Sequence, residues 1–413
     1  MGAPRIVAAE LPERGRMFYL VDDNLDFLPE VKAFLDWKVA TRRAPATLEG
    51  YCYRLVWYYR FLHEHAVGVL DAGPADLTEF VLWLCTARRS DAPFGGGVPE
   101  RPLQVRSVNL ILQAVGALYR FLVQRGLLAT SPVEYVAVPR STWLRERDLL
   151  AHTRTGLQAR TVQRMALKLK EPRRRPKTVA ERDFQTFLSS IHIARRPQDD
   201  PAGFRDRVLC LLFKEGGLRS GEVLGLHIED VDFGRGGVHV RFRPDNVNQA
   251  RAKAGPGRDR FVHLAPDLVG LLDLYISEVW VRLTPRTTHL WVVTKKEACT
   301  REGRATGGTA LTAAACAKMF EHYSQKSGIK IHPHMLRHTH ATELVRSYLQ
   351  AEQAVDWKYI QERLGHASVV TTMEIYTHLT DEDRKKSYDA YLARRAAAHA
   401  RRHSGPAADA ACS

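Results

Sequence analysis

Pro333-His334-Met335-Leu336-Arg337-His338-Thr339 sets a histidine and an arginine three residues apart, immediately behind a proline. Proline is tolerated at the first position of a helix, where its missing N–H would have had no partner. A helix that starts there carries His334 and Arg337 on one face, and its unpaired N–H groups favour an anion at that end. Upstream, Leu218-Arg219-Ser220-Gly221-Glu222 follows Gly216-Gly217. Those glycines end one helix and permit a close approach of backbone to a ligand. Ser220 is expected to cap the next helix, so that Arg219 projects from a helix start and Glu222 braces a guanidinium. Downstream come Leu364-Gly365-His366 and Ile375-Tyr376-Thr377-His378, with Tyr376 ten residues beyond His366. Thr371 and Glu374 have the spacing of a capping box, which would place Tyr376 in the first turns of a short helix.

Two arginines, two histidines and a tyrosine in this order suit a metal-free attack on a phosphodiester. Two guanidinium forks hold the non-bridging oxygens of one phosphate. The histidines share or move protons, and the tyrosine becomes the nucleophile. Taken singly, each is an ordinary surface or core residue; joint order and spacing carry the reading. A zinc site is the obvious rival, because His332, His334, His338 and His340 cluster and His334 and His338 share a helical face. No glutamate follows His334 as in H-E-x-x-H, and Cys316, the nearest cysteine, lies outside any CxxC pair.

These motifs resemble those of the tyrosine recombinases, the integrase family of site-specific DNA strand-transfer enzymes. Arg219, Glu222 and Leu226 fit the family's L-R-x-x-E-x-x-x-L pattern, and His334 to Thr342 fits H-x-L-R-H-T-x-A-T. The resemblance implies that Arg219 and Arg337 clamp the scissile phosphate, that His334 handles protons and that His366 hydrogen-bonds the phosphate or leaving group. Tyr376 is the implied nucleophile, forming a 3′-phosphotyrosyl link and freeing a 5′-hydroxyl. The family also keeps a lysine in a β-hairpin turn to protonate that oxygen; Lys253 is the only lysine in the turn from Pro244 to Gly257. One phosphodiester is exchanged for a bond of similar energy, so neither ATP, metal nor other cofactor is required. Further implications are a C-shaped clamp on duplex recombination sites, a homotetramer exchanging strands through a Holliday junction, and accessory DNA-bending proteins among the partners. Two rivals on similar chemistry or scaffold are a type IB topoisomerase and a catalytically silent DNA-binding regulator. The order of the motifs and the helical N-terminal segment favour the recombinase over the first, and retention of every catalytic side chain favours it over the second. The long connector described below points to an integrase or transposase of a mobile element.

The remaining sequence agrees with a DNA-acting protein. A length of 413 residues allows two or three domains, and a net charge of +15 makes a polyanion the expected partner. Six cysteines are scattered without disulfide or zinc spacing, as in a reducing cytoplasm, where the chain would associate with the nucleoid. No signal-type segment or apolar run of membrane-spanning length is present.

The expected fold class is multidomain and mainly α, with a small antiparallel β-sheet. Residues 1–25 read as an extended arm. Residues 26–136 read as a helical core-binding domain, in which Leu48, Tyr51, Cys52, Leu55, Tyr59 and Leu62 recur at helical spacing. Residues 137–177 read as a basic linker, partly helical, whose Arg173, Arg174, Arg175 and Lys177 would strap the phosphate backbone. Residues 178–402 form the α+β catalytic domain, opened by a capping box from Thr178 to Glu181, with alternating strands at 238–243 and 260–264. A helix is expected over 383–402, and residues 403–413 read as a disordered tail.

Overall fold

A computed structural model describes residues 4–11, 15–43, 45–87, 102–139, 161–172, 177–253, 255–294, 297–300, 303–351, 353–369, 372–373, 388–389, 392 and 395. The chain divides into two compact units, Met1–Arg173 and Arg174–Ser413. No helix among the described residues is long and apolar enough to cross a membrane.

The first unit opens with strands β1 (Arg5–Leu11) and β2 (Gly15–Val21), paired antiparallel with Arg5 opposite Val21. The extended arm expected here is therefore a hairpin. Met17, Tyr19 and Leu20 supply the reason, since all three are buried in the unit's core. Four helices follow: α1 (Pro29–Ala40), α2 (Pro45–Glu64), α3 (Pro74–Thr86) and α4 (Val105–Gln124). The helical spacing read in the sequence places Leu48, Cys52, Leu55 and Leu62 inside, while Tyr51 and Tyr59 pack at the core's margin. Two buried tyrosines tie the bundle: the Tyr58 and Tyr119 hydroxyls lie 2.6 Å apart, and Tyr119 donates to the Val69 carbonyl at 2.8 Å.

The connector is not wholly a strap. Strand β3 (Tyr135–Pro139) pairs antiparallel with β4 (Thr161–Met165), a strand where partial helix was expected. Met165, Leu167 and Leu169 pack on the first unit's core. Buried Asn109 on α4 completes the attachment: its Nδ2 donates to the Leu169 carbonyl at 3.0 Å and to Glu171 at 2.8 Å, and its Oδ1 accepts from Leu169 N–H at 2.9 Å.

The second unit has helices α5 (Glu181–Ser189), α6 (Pro201–Gly216) and α7 (Ser220–Leu224), then a three-stranded antiparallel sheet. Its strands are β5 (Val231–Asp232), β6 (Gly237–Val240) and β7 (Arg260–His263), with Val238 opposite Val262. Helix α8 (Pro266–Tyr275), hairpin β8 (Glu297–Thr300)–β9 (Gly303–Thr306), and helices α9 (Ala313–Ser327), α10 (Pro333–Gln350) and α11 (Trp357–Leu364) complete it. Phe187, Phe213, Trp291, Phe320 and Leu336 are fully buried at its centre.

Helix starts and stops follow local chemistry. The Asp200 carboxylate caps α6 by accepting Gly203 N–H at 2.9 Å, and Asp356 caps α11 by accepting Tyr359 N–H at 2.9 Å. The capping box expected from Thr178 to Glu181 does not form. Val179 is buried and its N–H donates to Thr339 Oγ1 at 2.9 Å, which holds the chain extended through Ala180. Helix α5 starts only at Glu181, whose carboxylate instead accepts from Gln185 and Lys214.

Candidate active site

Arg219 stands directly before α7, and its own N–H donates to Glu222 at 3.0 Å. Glutamate three residues into a helix thereby satisfies one of the unpaired N–H groups at the helix start. The same carboxylate accepts Arg219 Nη1 at 3.0 Å and Arg260 Nη2 at 2.8 Å, with Arg337 Nη1 at 3.8 Å. Glu222 is fully buried and carries three guanidiniums. Burial alone would push its carboxyl up, but the hydrogen bond and charge of Arg260, then those of Arg219, outweigh this and leave it below the usual value.

Helix α10 begins at Pro333, so His334 and Arg337 do share its first turns. Arg337 is 2% exposed and donates to the Gly217 carbonyl at 2.8 Å and the Leu364 carbonyl at 2.6 Å. Arg219 reaches the same place, donating to Leu364 and Gly365 carbonyls at 3.2 and 3.0 Å. The last carbonyls of a helix lack intrahelical partners and carry its negative end, so α11 holds both arginines by its C-terminus. Gly365 ends α11 with φ +63°, and a Cβ there would stand 2.7 Å from Arg260 Nη1. Gly217 is as constrained, with φ +60° and a Cβ that would collide with the His340 ring. Among the described residues, no acceptor meets Arg219 Nε or Nη2, which leaves that edge of the fork for a ligand.

His366 follows Gly365, and its Nδ1 lies 2.7 Å from Thr372 Oγ1. Burial, then the charges of Arg337 and Arg219, lower its pKa to about 3. His334 Nε2 is 3.1 Å from His338 Nε2. Burial followed by Arg337, His332, Arg219 and Lys253 lowers His334, and burial followed by His334 takes His338 to about 4. The imidazoles are neutral near pH 7, beside fixed positive charge. Each has one nitrogen able to accept and one able to donate. An entering phosphate would be met by guanidinium donors and neutral imidazoles rather than by competing cations.

Lys253 is exposed in the loop between β6 and β7, and its charge is the last-ranked of those that lower His334. Lys177 is exposed, and its charge acts on His332 at the start of α10. Tyr376, Arg173, Arg174 and Arg175 lie outside the described residues, as do Thr371 and Glu374. Tyr388, Asp389, Leu392 and Arg395 are helical and exposed; the rest of the expected helix over 383–402 and the tail over 403–413 lie outside the described residues. Among the described residues, no three His, Cys, Asp or Glu side chains are grouped to hold a metal ion.

Arg260 and Thr372 were not singled out in the sequence. Alternation along β7 puts Arg260 on the same side as buried Val262, a position unusual for an arginine, and this was the available signal. Thr372 offered none.

Comparison with known proteins places this arrangement. Residues 179–383 match the phage integrase family. Transposase A from transposon Tn554 of Staphylococcus aureus is 28% identical over 92% of this chain and 95% of its own length. Tyrosine recombinase XerC of Xanthomonas axonopodis pv. citri is 29% identical over 81% of this chain and 93% of its own length. Among solved structures, the Tn1549 transposon integrase in complex with transposon right end DNA shares the fold with a TM-score of 0.52 at 17% identity, covering 88% of this chain and 99% of that one. The XerH site-specific recombinase bound to difH substrate also scores 0.52, at 19% identity, covering 84% and 80%. Because the matched segment spans the elements that bring Arg219, Arg337 and His366 together, motif order, geometry and similarity agree, and the chain belongs to the tyrosine recombinases of the phage integrase family.

Proposed function

We propose that this recombinase moves a mobile element by cleaving and rejoining duplex DNA at the element's ends through Tyr376. The observation that carries this reading is the convergence of Arg219 and Arg337 on the α11 C-terminus, beside His366. The scissile phosphate sits against the two guanidiniums, which neutralise the charge that builds on its non-bridging oxygens. The Tyr376 hydroxyl attacks phosphorus and passes its proton to neutral His334. Lys253 protonates the departing 5′-oxygen, and His366 donates to the phosphate. Reversal with the 5′-hydroxyl of another strand completes an exchange. The enzyme acts in the cytoplasm on nucleoid DNA, as a tetramer on paired sites, assisted by accessory DNA-bending proteins. Arg173, Arg174, Arg175 and Lys177 contact the backbone between the two domains.

The test is a nicked suicide substrate built from the element's ends, whose short 5′ fragment diffuses away after cleavage. A covalent adduct with the 3′-phosphate on the peptide containing Tyr376 is expected, at a rate unaffected by EDTA. Absence of any adduct with intact DNA binding would favour the silent DNA-binding protein; supercoil relaxation without strand exchange would favour the topoisomerase. On the same substrate, Arg219→Ala and Arg337→Ala should each slow cleavage by roughly 10² to 10³, the usual loss for one electrostatic stabiliser in a closed site. Binding should fall much less, and full activity in either variant removes its clamp assignment.

Subunit exchange gives a second expectation. The sequence after Asp381 is rich in helix formers but offers a thin apolar stripe at Tyr388, Tyr391 and Leu392, so the helix is marginal alone and docks on a neighbouring subunit. Truncation after Asp381 should leave single-protomer binding intact while abolishing cooperative assembly and recombination. Recombination of two sites at the wild-type rate by the truncated protein would sink the exchange idea.

A further inference from the structure

Hairpin loops are commonly about two to five residues long, whereas the β6–β7 connection runs from residue 241 to 259. A lysine on so long a loop would ordinarily wander. This loop is tied down. Asn246 Nδ2 donates to the Ala250 and Gly225 carbonyls at 2.8 and 3.4 Å, and its Oδ1 lies 2.9 Å from His227 Nε2. Asn248 Nδ2 donates to the Leu224 and Leu311 carbonyls at 2.9 and 3.0 Å. Its Oδ1 accepts Ala250 N–H at 3.0 Å and lies 3.3 Å from His289 Nε2. Since both amide NH2 groups face carbonyls, both Oδ1 atoms accept, and the network assigns the imidazole proton to Nε2 in each histidine.

The histidines are themselves fixed. His227 Nδ1 is 2.7 Å from Thr288 Oγ1, His289 Nδ1 is 2.9 Å from Thr287 Oγ1, and the two rings lie 4.3 Å apart. Burial lowers His289 to about 4, so it is neutral at pH 7. Two glycines provide the seat beneath the loop. A Cβ on Gly221 would stand 2.5 Å from the Arg251 carbonyl oxygen, and one on Gly225 would stand 3.1 Å from Asn246 Nδ2 and 3.3 Å from the Ala250 carbonyl oxygen. The loop backbone therefore lies directly on α7, the helix whose start holds Arg219 and Glu222. Ala250 and Ala252 are buried in this contact, and Lys253 is the next residue out.

We propose that Asn246 and Asn248, held by His227 and His289 and seated on Gly221 and Gly225, are positioning residues that aim Lys253 at the leaving 5′-oxygen. This rests on the reading of Lys253 as the general acid. As the Tyr376 Oη–phosphorus bond forms, the phosphorus–O5′ bond breaks and its electron pair stays on O5′. That oxygen takes a proton from Lys253 Nζ, and the neutral lysine regains one from water. A loop released from its seat would lower the chance that the acid is in place while leaving the phosphate clamp and the DNA contacts alone.

Replacing the bridging 5′-oxygen of the suicide substrate by sulfur separates these roles, because a thiolate is a far weaker base than an alkoxide and leaves without a proton. On the oxygen substrate, Lys253→Ala should slow cleavage by roughly 10² to 10⁴, and the double variant Asn246→Ala/Asn248→Ala by about 10². On the sulfur substrate both should return to the wild-type rate, with DNA binding unchanged throughout. If Lys253→Ala is restored and the double variant stays slow, the positioning role is overturned and that of Lys253 stands. If Lys253→Ala stays slow on sulfur, the acid assignment falls and the positioning role falls with it. Gly221→Ala approaches the seat from the other side, should the double variant fail to fold. Alanine is the better helix former, but its methyl group displaces the Arg251 carbonyl, so it should be slow on oxygen and normal on sulfur. A wild-type rate on oxygen, or a loss on sulfur, overturns the proposal.

Discussion

Tyr376→Phe should bind the recombination site like the wild type, form no covalent adduct and cleave slower by roughly 10⁴ or more, as when the nucleophile of a concerted catalytic set is deleted. The substitution removes one oxygen and no charge. Affinity for DNA is dominated by lysine and arginine contacts to phosphates, of which a chain with net charge +15 has many. In the proposed reaction, the bond that conserves the phosphodiester's energy is the one made by that oxygen. Radiolabelled suicide substrate on a denaturing gel reads the adduct, and filter binding reads the affinity. An adduct formed by Tyr376→Phe transfers the nucleophile's role to Tyr359, 41% exposed on α11, or Tyr388, 60% exposed.

Glu222→Ala should lower the unfolding free energy by about 3–5 kcal/mol, the usual result of removing one member of a buried ion cluster. Its effect on cleavage exceeds that of losing Arg219 alone. The alanine leaves the guanidiniums of Arg219, Arg260 and Arg337 facing one another with no carboxylate between them. Both clamp arginines then lose the carboxylate they share, and Arg260 is left with the Arg363 carbonyl, which its Nε meets at 3.1 Å. The pH dependence carries a signature. Glu222 is held below the ordinary glutamate value of 4.5 in the folded state, so its stabilising effect is complete above that pH and is lost as the pH falls through the folded value. The wild type should therefore weaken on acidification below about pH 4.5 by more than Glu222→Ala does. Urea unfolding at neutral and acidic pH measures both quantities, and equal stabilities at neutral pH would remove Glu222 from the centre of the site.

Motifs legible in the sequence were those in which a local rule and a chemical need coincide. Proline before His334 fixed a helix start, so the shared face of His334 and Arg337 followed from spacing alone. Gly217 could be read as a helix end because left-handed φ favours glycine. Other features depended on partners distant in sequence. The acceptors on which Arg219 and Arg337 converge are backbone carbonyls of residues 364 and 365, and every residue has a carbonyl. The hairpin at the N-terminus was missed because two short strands bounded by charge read as an arm until Met17, Tyr19 and Leu20 find the core they cover. The Thr178–Glu181 signature failed for a related reason: Thr339, far along the chain, claims the backbone first.

Asn109 turns a long connector into a short tether. Among the described residues, the first unit's last hydrogen bond to the connector is at Glu171, and the second unit's first is at Val179. Eight residue steps span no more than about 28 Å at full extension. Residues 140–160 add nothing to that reach, because Pro139 and Thr161 already face each other across the β3–β4 ladder. A linkage of so few residues raises the effective concentration of one unit at any ligand that the other already holds. A side-chain amide on α4 sets the length of that leash.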